Sequence, residues 1–265
     1  MSPEQTIFAT LRGGARVWAI GSVHGAAGHL SAIHRQISER FQSGDQIVYL
    51  GNYFGHGAEI RRTIDEILLF RRAVLAEPDV DCGDLVFLRG AQEEMWQKLL
   101  QLQFAPNPVE VLAWMNGQGI GATIEAYGAT VQDAILAARD GTVSLTRWTS
   151  QLRQNFRAYD GHATLMSVLR HAAYTDDGDL LFVHAGLDPA RPLTAQSDSF
   201  WWGGFATLES PYDGYRRVVR GFDRRHAGLV ETAFTLSMDG GCGFGGTLLA
   251  VLFNPDGSVA EVLSA

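Results

Sequence analysis

Three short apolar runs, each closing on glycine, frame the first third of this chain: VWAIG at 17–21, QIVYLG at 46–51 and DLVFLRG at 84–90. Runs of this kind suit strands buried on both faces. The segment 26–42 between the first two places Leu30, Ile33, Ile37 and Phe41 at helical spacing. Residues 59–75, EIRRTIDEILLFRRAVL, read as a second amphipathic helix, and a third is expected from Gln92 to Leu102. Strand, crossover helix and strand in this rhythm imply a parallel sheet with right-handed connections.

Downstream the signals change. Residues 104–175 carry no strand signal of similar strength and predict a helical layer or cap, spanning about 95–175. The last third returns to strands, at 179–186, 215–221, 232–241 and 246–254. The final two runs, with PDG at 255–257 ahead of SVAEVL, read as antiparallel hairpins. Internal repeats and low-complexity linkers are absent from the 265 residues, which argues for one domain over 1–265.

Composition narrows the function classes. Hydrophobic residues make up 46% and charged residues 19%, a globular balance. The formal net charge of -8 argues against nucleic acid and against an anionic membrane surface as partners. No run approaches the ~20 apolar residues of a membrane span. The stretch MSPEQTIFATLRGG lacks a basic segment followed by an apolar one, so a cytoplasmic protein is expected. Cys82 and Cys242 have no metal-type spacing and are expected to be buried free thiols.

In an open α/β sheet, ligands gather outside the carboxyl ends of the strands. The loops to read are therefore GSVHG (21–25), GNYFGHG (51–57), RGAQEE (89–94), VHAG (183–186) and VVRGFD (218–223). Their order, spacing and glycine frames resemble the calcineurin-like metallophosphoesterases, above all the bacterial serine/threonine protein phosphatases. There the corresponding loops read GDIHG, GDYVDRG, GNHE, VHAG and HGHT. WMNGQGIGATIEAYG (114–128), LFVHAGLDPARPL (181–193) and MDGGCGFGGTLLAVLF (238–253) extend the resemblance along most of the chain. It implies an α/β fold with a two-sheet β-sandwich flanked by helices, and a Mn/Fe/Zn-type dinuclear site that activates water against a phosphate ester.

The departures are informative. At the positions where the family holds its metals, this chain has Ser22, His24, Asn52, Ala91, His184 and Phe222, of which only His24 and His184 keep the family residue. The general-acid position is Gln92, and the phosphate-clamping Asp-Arg pair has become Gly55 and His56. Cations of this type need carboxylate or imidazole ligands, and an asparagine carbonyl is a poor bridge between two of them. Ala91 and Phe222 have no ligand atoms. No bound metal or cofactor and no catalytic residue are therefore expected.

Several readings stay open at this point. His24 and His184 suit a residual metal site, a metal-free anion site or plain packing. Arg220, with His24, Asn52, His56, His184 and Arg89, suits a phosphate or phosphopeptide, but Arg220 equally suits an ion pair with Asp223. FWWGGF (200–205) offers Trp201 and Trp202 either to a protein partner or to the core, with Gly203 where the family has arginine. GCGFGG (241–246) precedes a strand where a dinucleotide loop requires a helix, so a tight turn is expected. RGFDRRH (220–226) reads as a solvated basic loop. The function expected is that of a pseudophosphatase, a protein-binding or phospho-ligand-sensing regulator. The alternatives are a residual metal-dependent phosphoesterase and a structural subunit of a complex.

Overall fold

The computed structural model describes residues 7–205 and 208–265. Among the described residues, eleven strands form two sheets. One sheet contains β2 (Val17–Ile20), β3 (Gln46–Tyr49), β4 (Leu85–Phe87), β10 (Leu249–Phe253) and β11 (Val259–Ser264), in the order β11-β10-β2-β3-β4. The other contains β1 (Phe8–Leu11), β5 (Ala172–Thr175), β6 (Leu180–Val183), β7 (Arg217–Arg220), β8 (Gly228–Glu231) and β9 (Thr235–Asp239), in the order β1-β5-β6-β7-β9-β8.

The three glycine-terminated runs form the parallel neighbours β2, β3 and β4. Their alternation shows why both faces are apolar. Val17, Ala19, Val48 and Leu50 point between the sheets, against Phe182, Val219, Leu236 and Phe253. Trp18, Ile20, Ile47 and Tyr49 point to the outer face. There they meet the apolar stripes of α1 (Ala27–Ser38) and α2 (Ile60–Val74), whose Leu30, Ile33, Ile37, Ile64 and Ile67 are all buried. Successive residues serve opposite layers because the strand period is two. The result is the expected two-sheet sandwich with helices outside.

Helix α3 (Ala91–Leu99) follows β4 and stops short of Leu102. The middle of the chain supplies α4 (Pro108–Gly117), α5 (Ile120–Ala126), α6 (Val131–Asp140), α7 (Thr142–Arg157) and α8 (His162–Ser167), which extend the same outer core. Its last residues differ from expectation: Ala172–Thr175 is a strand, paired parallel with β1 and antiparallel with β6. The four-residue β1 and the exposed β8 also lie outside the strands read from sequence.

One strand pairing is corrected. The runs at 232–241 and 246–254 do not form a hairpin, because β9 lies in one sheet and β10 in the other. β9 is parallel to β7, and β10 is antiparallel to β2 and β11. GCGFGG is therefore a turn that carries the chain across the sandwich rather than back along one sheet. The hairpin around PDG, joining β10 to β11, is present. The thiols also differ from expectation: both are free, but Cys82 is exposed and only Cys242 is buried.

Candidate functional site

The residues singled out in sequence converge beyond the strand ends. His24 follows β2, Asn52 follows β3, Ala91 and Gln92 follow β4, His184 follows β6, and Phe222 follows β7. Backbone hydrogen bonds tie these loops together. Val23 and His24 both donate to the Asn52 carbonyl, at 3.1 and 2.7 Å. Gly221 and Phe222 both donate to the His184 carbonyl, and Ser22 donates to that of Gly221. The loops approach so closely that a Cβ on Gly51, whose φ is +90°, would stand 2.6 Å from the Gly90 nitrogen.

Glu93, which the sequence reading did not single out, anchors this arrangement. It is fully buried, and its carboxylate accepts the backbone N–H groups of Gly90, Asn52, Tyr53 and Phe54 at 2.8–3.1 Å. Burial raises its pKa, and those donors pull it back by favouring the carboxylate. One acid thus closes the start of α3 and fixes the loop after β3. Its signal in sequence is an acidic residue three positions after the glycine that caps a helix.

Both ends of the Asn52 amide are engaged. Its Oδ1 accepts from the Gln92 N–H at 3.0 Å, which fixes the orientation of the amide, and its Nδ2 donates to His24 Nε2 at 3.2 Å. That nitrogen of His24 therefore carries a lone pair and the proton resides on Nδ1. His184 has the opposite tautomer: its Nδ1 donates to the Leu50 carbonyl at 2.7 Å, leaving a lone pair on Nε2. Burial holds both rings neutral at pH 7. It depresses His24 well below the usual imidazole value, with repulsion from His56, His184 and His226 adding to the effect, and lowers His184 to about 4.

Aromatic rings occupy the space between the histidines. Phe222 stacks on His184 with centroids 5.5 Å apart and meets His24 edge-on at 5.8 Å. Phe244, at the tip of the GCGFGG turn, lies 4.2 Å from His56, 4.3 Å from His226 and 5.1 Å from His24. His226 was read only as part of a solvated basic loop. It is half-buried, and its Nδ1 lies 3.0 Å from the buried Asp239 carboxylate. His24, Asn52, His56 and His226 are four of six non-glycine residues with positive φ among those described, a conformation that costs roughly 1–3 kcal/mol at such positions.

These side chains line a cavity of about 260 Å³ together with Ala91, Gln92, Trp201 and Trp202. Gly55 and Gln92 are complementary: a Cβ on Gly55 would stand 2.4 Å from the Gln92 side-chain carbonyl carbon, so the glutamine fills room that an aspartate at 55 would need. Four buried polar atoms in this region lack hydrogen-bond partners: Ser22 Oγ, His24 Nδ1, His184 Nε2 and Gln92 Oε1. Among the described residues, no three His, Cys, Asp or Glu side chains come together as metal ligands.

The cationic candidates are placed differently from the anion-site reading. Arg220 pairs with Asp223 at 3.0 Å, donates to Ser237 and to the Ala185 carbonyl, and stacks on Phe205. Arg89 pairs with Glu94 and donates to Gln97. Both charges are already compensated. Trp201 is buried, with its indole donating to the Arg89 carbonyl, and so presents no docking surface. Trp202 is half-buried against Trp114 and borders the cavity.

No protein-family model and no curated protein matches this sequence. Solved structures do. A candidate diadenosine tetraphosphatase aligns over 98% of this chain and 97% of its own, at 21% identity and a TM-score of 0.58. A cold-active protein tyrosine phosphatase aligns over 99% and 83%, at 13% identity and a TM-score of 0.55. A serine/threonine phosphatase from Saccharomyces cerevisiae, with similarity to human phosphatase PP5, aligns over 93% and 77%, at 13% identity and a TM-score of 0.50. The fold is that of the calcineurin-like metallophosphoesterases. No helix among the described residues is long and apolar enough to cross a membrane.

Proposed function

We propose that this chain is a pseudophosphatase: a phosphatase fold kept as a cytoplasmic regulatory or phospho-ligand-sensing module, acting through a protein partner and without the family's metals. The commitment of Asn52 carries this reading. At the position where the family bridges two metals, the only side-chain oxygen is neutral and already accepts from the Gln92 N–H. Phe222 stacks on His184 where a further ligand would stand, and Ala91 offers no donor atom. Two imidazoles with no carboxylate between them do not fit a dinuclear cluster, which needs anionic ligands to offset its charge. Without the metals, no water is activated as nucleophile, and Gln92 has no proton to give a leaving alkoxide.

One observation favours a second reading. His226 and Asp239 form a histidine–carboxylate pair on the cavity wall, the arrangement that orients an imidazole for general acid–base work. A residual phosphoesterase built on His226 is the alternative. Metal analysis of the purified protein, with a generic phosphate-ester assay in added manganese, separates the two readings. The pseudophosphatase reading expects substoichiometric metal and no turnover, and turnover abolished by His226→Gln would replace it. Affinity capture from the source cells then identifies the partner.

A further inference from the structure

The site cavity has a neighbour. A second cavity, of about 420 Å³, shares Trp201, Trp202, Phe222 and Arg224 with it and adds Arg225, Phe205 and the compensated Arg220. The two differ in character. The inner one is walled by His24, His56, Phe222, Phe244 and Trp202, with no carboxylate among its lining residues. The outer one carries Arg224 and Arg225, both exposed and neither engaged in an ion pair among the described residues.

We propose that the two cavities together hold an aromatic phosphate monoester, its ring inward among His56, Phe244 and Trp202 and its phosphate outward on Arg224 and Arg225. An aromatic ring gains from stacking and edge contacts with such walls, and guanidinium groups are the side chains best suited to a phosphate dianion. Two buried polar atoms of the inner cavity point the same way. His24 Nδ1 and Gln92 Oε1, on side chains more than nine-tenths buried, stand at the inner wall without a side-chain partner, and the Phe54 carbonyl lies on the His24 side. The inner volume is below the ~300 Å³ at which sites for drug-sized ligands begin, and suits a single ring system. The orientation follows from charge. Arg225 lines only the outer cavity and Arg224 stands where the two meet, so the compensating charge lies outward of the rings, and the one outer carboxylate, Asp223, is paired with Arg220.

This inference rests on the reading that the site works without metals. Calorimetric titration of the purified, metal-free protein tests it, with O-phosphotyrosine, an aryl ester, and AMP, a ribose ester that carries an aromatic base, as the ring-bearing ligands. Ribose 5-phosphate, O-phosphoserine and inorganic phosphate serve as ring-free comparators. The ring-bearing ligands should bind at least ~10-fold more tightly, the scale of one stacking contact. Whichever ring-bearing ligand binds better identifies the source as nucleotide or phosphotyrosine. Phe244→Ala, at a half-exposed position, should remove the aromatic preference. The double variant Arg224→Ala/Arg225→Ala should weaken every phosphate ligand alike. Equal binding of ring-free and ring-bearing ligands, or no binding of either ring-bearing ligand, overturns the inference. Stoichiometric metal with turnover in the assay above removes instead the reading beneath it.

Discussion

Asn52 and His24 are joined by a single hydrogen bond, amide Nδ2 to imidazole Nε2, at the centre of the loops that close the sandwich. Because the other end of the amide is fixed by the Gln92 N–H, the bond dictates which nitrogen of His24 carries the proton. It also keeps a neutral residue facing a neutral ring where the buried His24 and His184 meet the half-buried His226 and the exposed His56. Neutrality at this point is what the rest of the site is built around.

Replacing Asn52 by aspartate should overturn that neutrality without rebuilding a metal centre. The new carboxylate keeps the Gln92 N–H and places an anion beside His24, which favours the imidazolium by roughly 1–3 pKa units. Proton NMR of the histidine Hε1 resonances in Asn52→Asp should show one ring titrating higher than in the parent. Manganese uptake should remain substoichiometric. Uptake should appear only when Ser22→Asp, Ala91→Asn and Phe222→His accompany it, since each ligand position that the resemblance implies is a separate deficit. Stoichiometric metal in the single variant would contradict the account of the site.

Glu93 should be the most costly site residue to remove. Glu93→Ala leaves four buried N–H groups without an acceptor, and unsatisfied buried donors cost about 1–3 kcal/mol each before relaxation. A loss of roughly 3–5 kcal/mol in urea unfolding is expected. Glu93→Gln, which keeps one acceptor oxygen, should lose about half as much.

How much of this was legible before the structure differs between fold and site. The strands β2, β3 and β4 were readable because an apolar run closed by glycine, repeated with helical spacing between, admits few arrangements. β1, β5 and β8 were not, because four-residue strands at or near a sheet edge carry too little periodicity to stand out. The supposed pairing of 232–241 with 246–254 failed for a specific reason: alternation marks a strand but not its sheet, and the GCGFGG turn crosses between sheets. At the site, the residue types at 22, 52, 91 and 222, where the resemblance implies metal ligands, could be read directly. The role of Glu93, and the way Phe244 and His226 reach the cavity, depend on how loops distant in sequence are laced, which residue order alone does not display. Arg220 was left open between a ligand and Asp223, and its guanidinium stands 3.0 Å from the Asp223 carboxylate.

The two cysteines should separate by reactivity. Cys82 is exposed, whereas Cys242 is buried with its thiol near the Val23 carbonyl, and burial pushes its pKa up to about 12. Only the thiolate reacts, so one thiol per chain should titrate with Ellman's reagent in the native protein and two after unfolding. Cys82→Ser should leave the native protein unreactive.

Stability should fall as the pH is lowered through the histidine range. His184 titrates near 4 in the folded chain against an ordinary value of 6.5, so the unfolded chain binds the proton more readily. Stability is therefore complete above about pH 6.5 and declines as the pH drops, by about 1.4 kcal/mol per unit at most for one group. The loss from His184 alone reaches roughly 3 kcal/mol by pH 4. His24, depressed in the same direction by burial, steepens the decline. Urea midpoints between pH 8 and 4 test this, with carboxylates contributing only at the acid end. His184→Gln should be less stable at pH 8, where the Leu50 hydrogen bond and the stack on Phe222 are disturbed. It should nevertheless show a shallower slope between pH 6.5 and 5. A slope unchanged by that replacement would mean that His184 does not carry the effect.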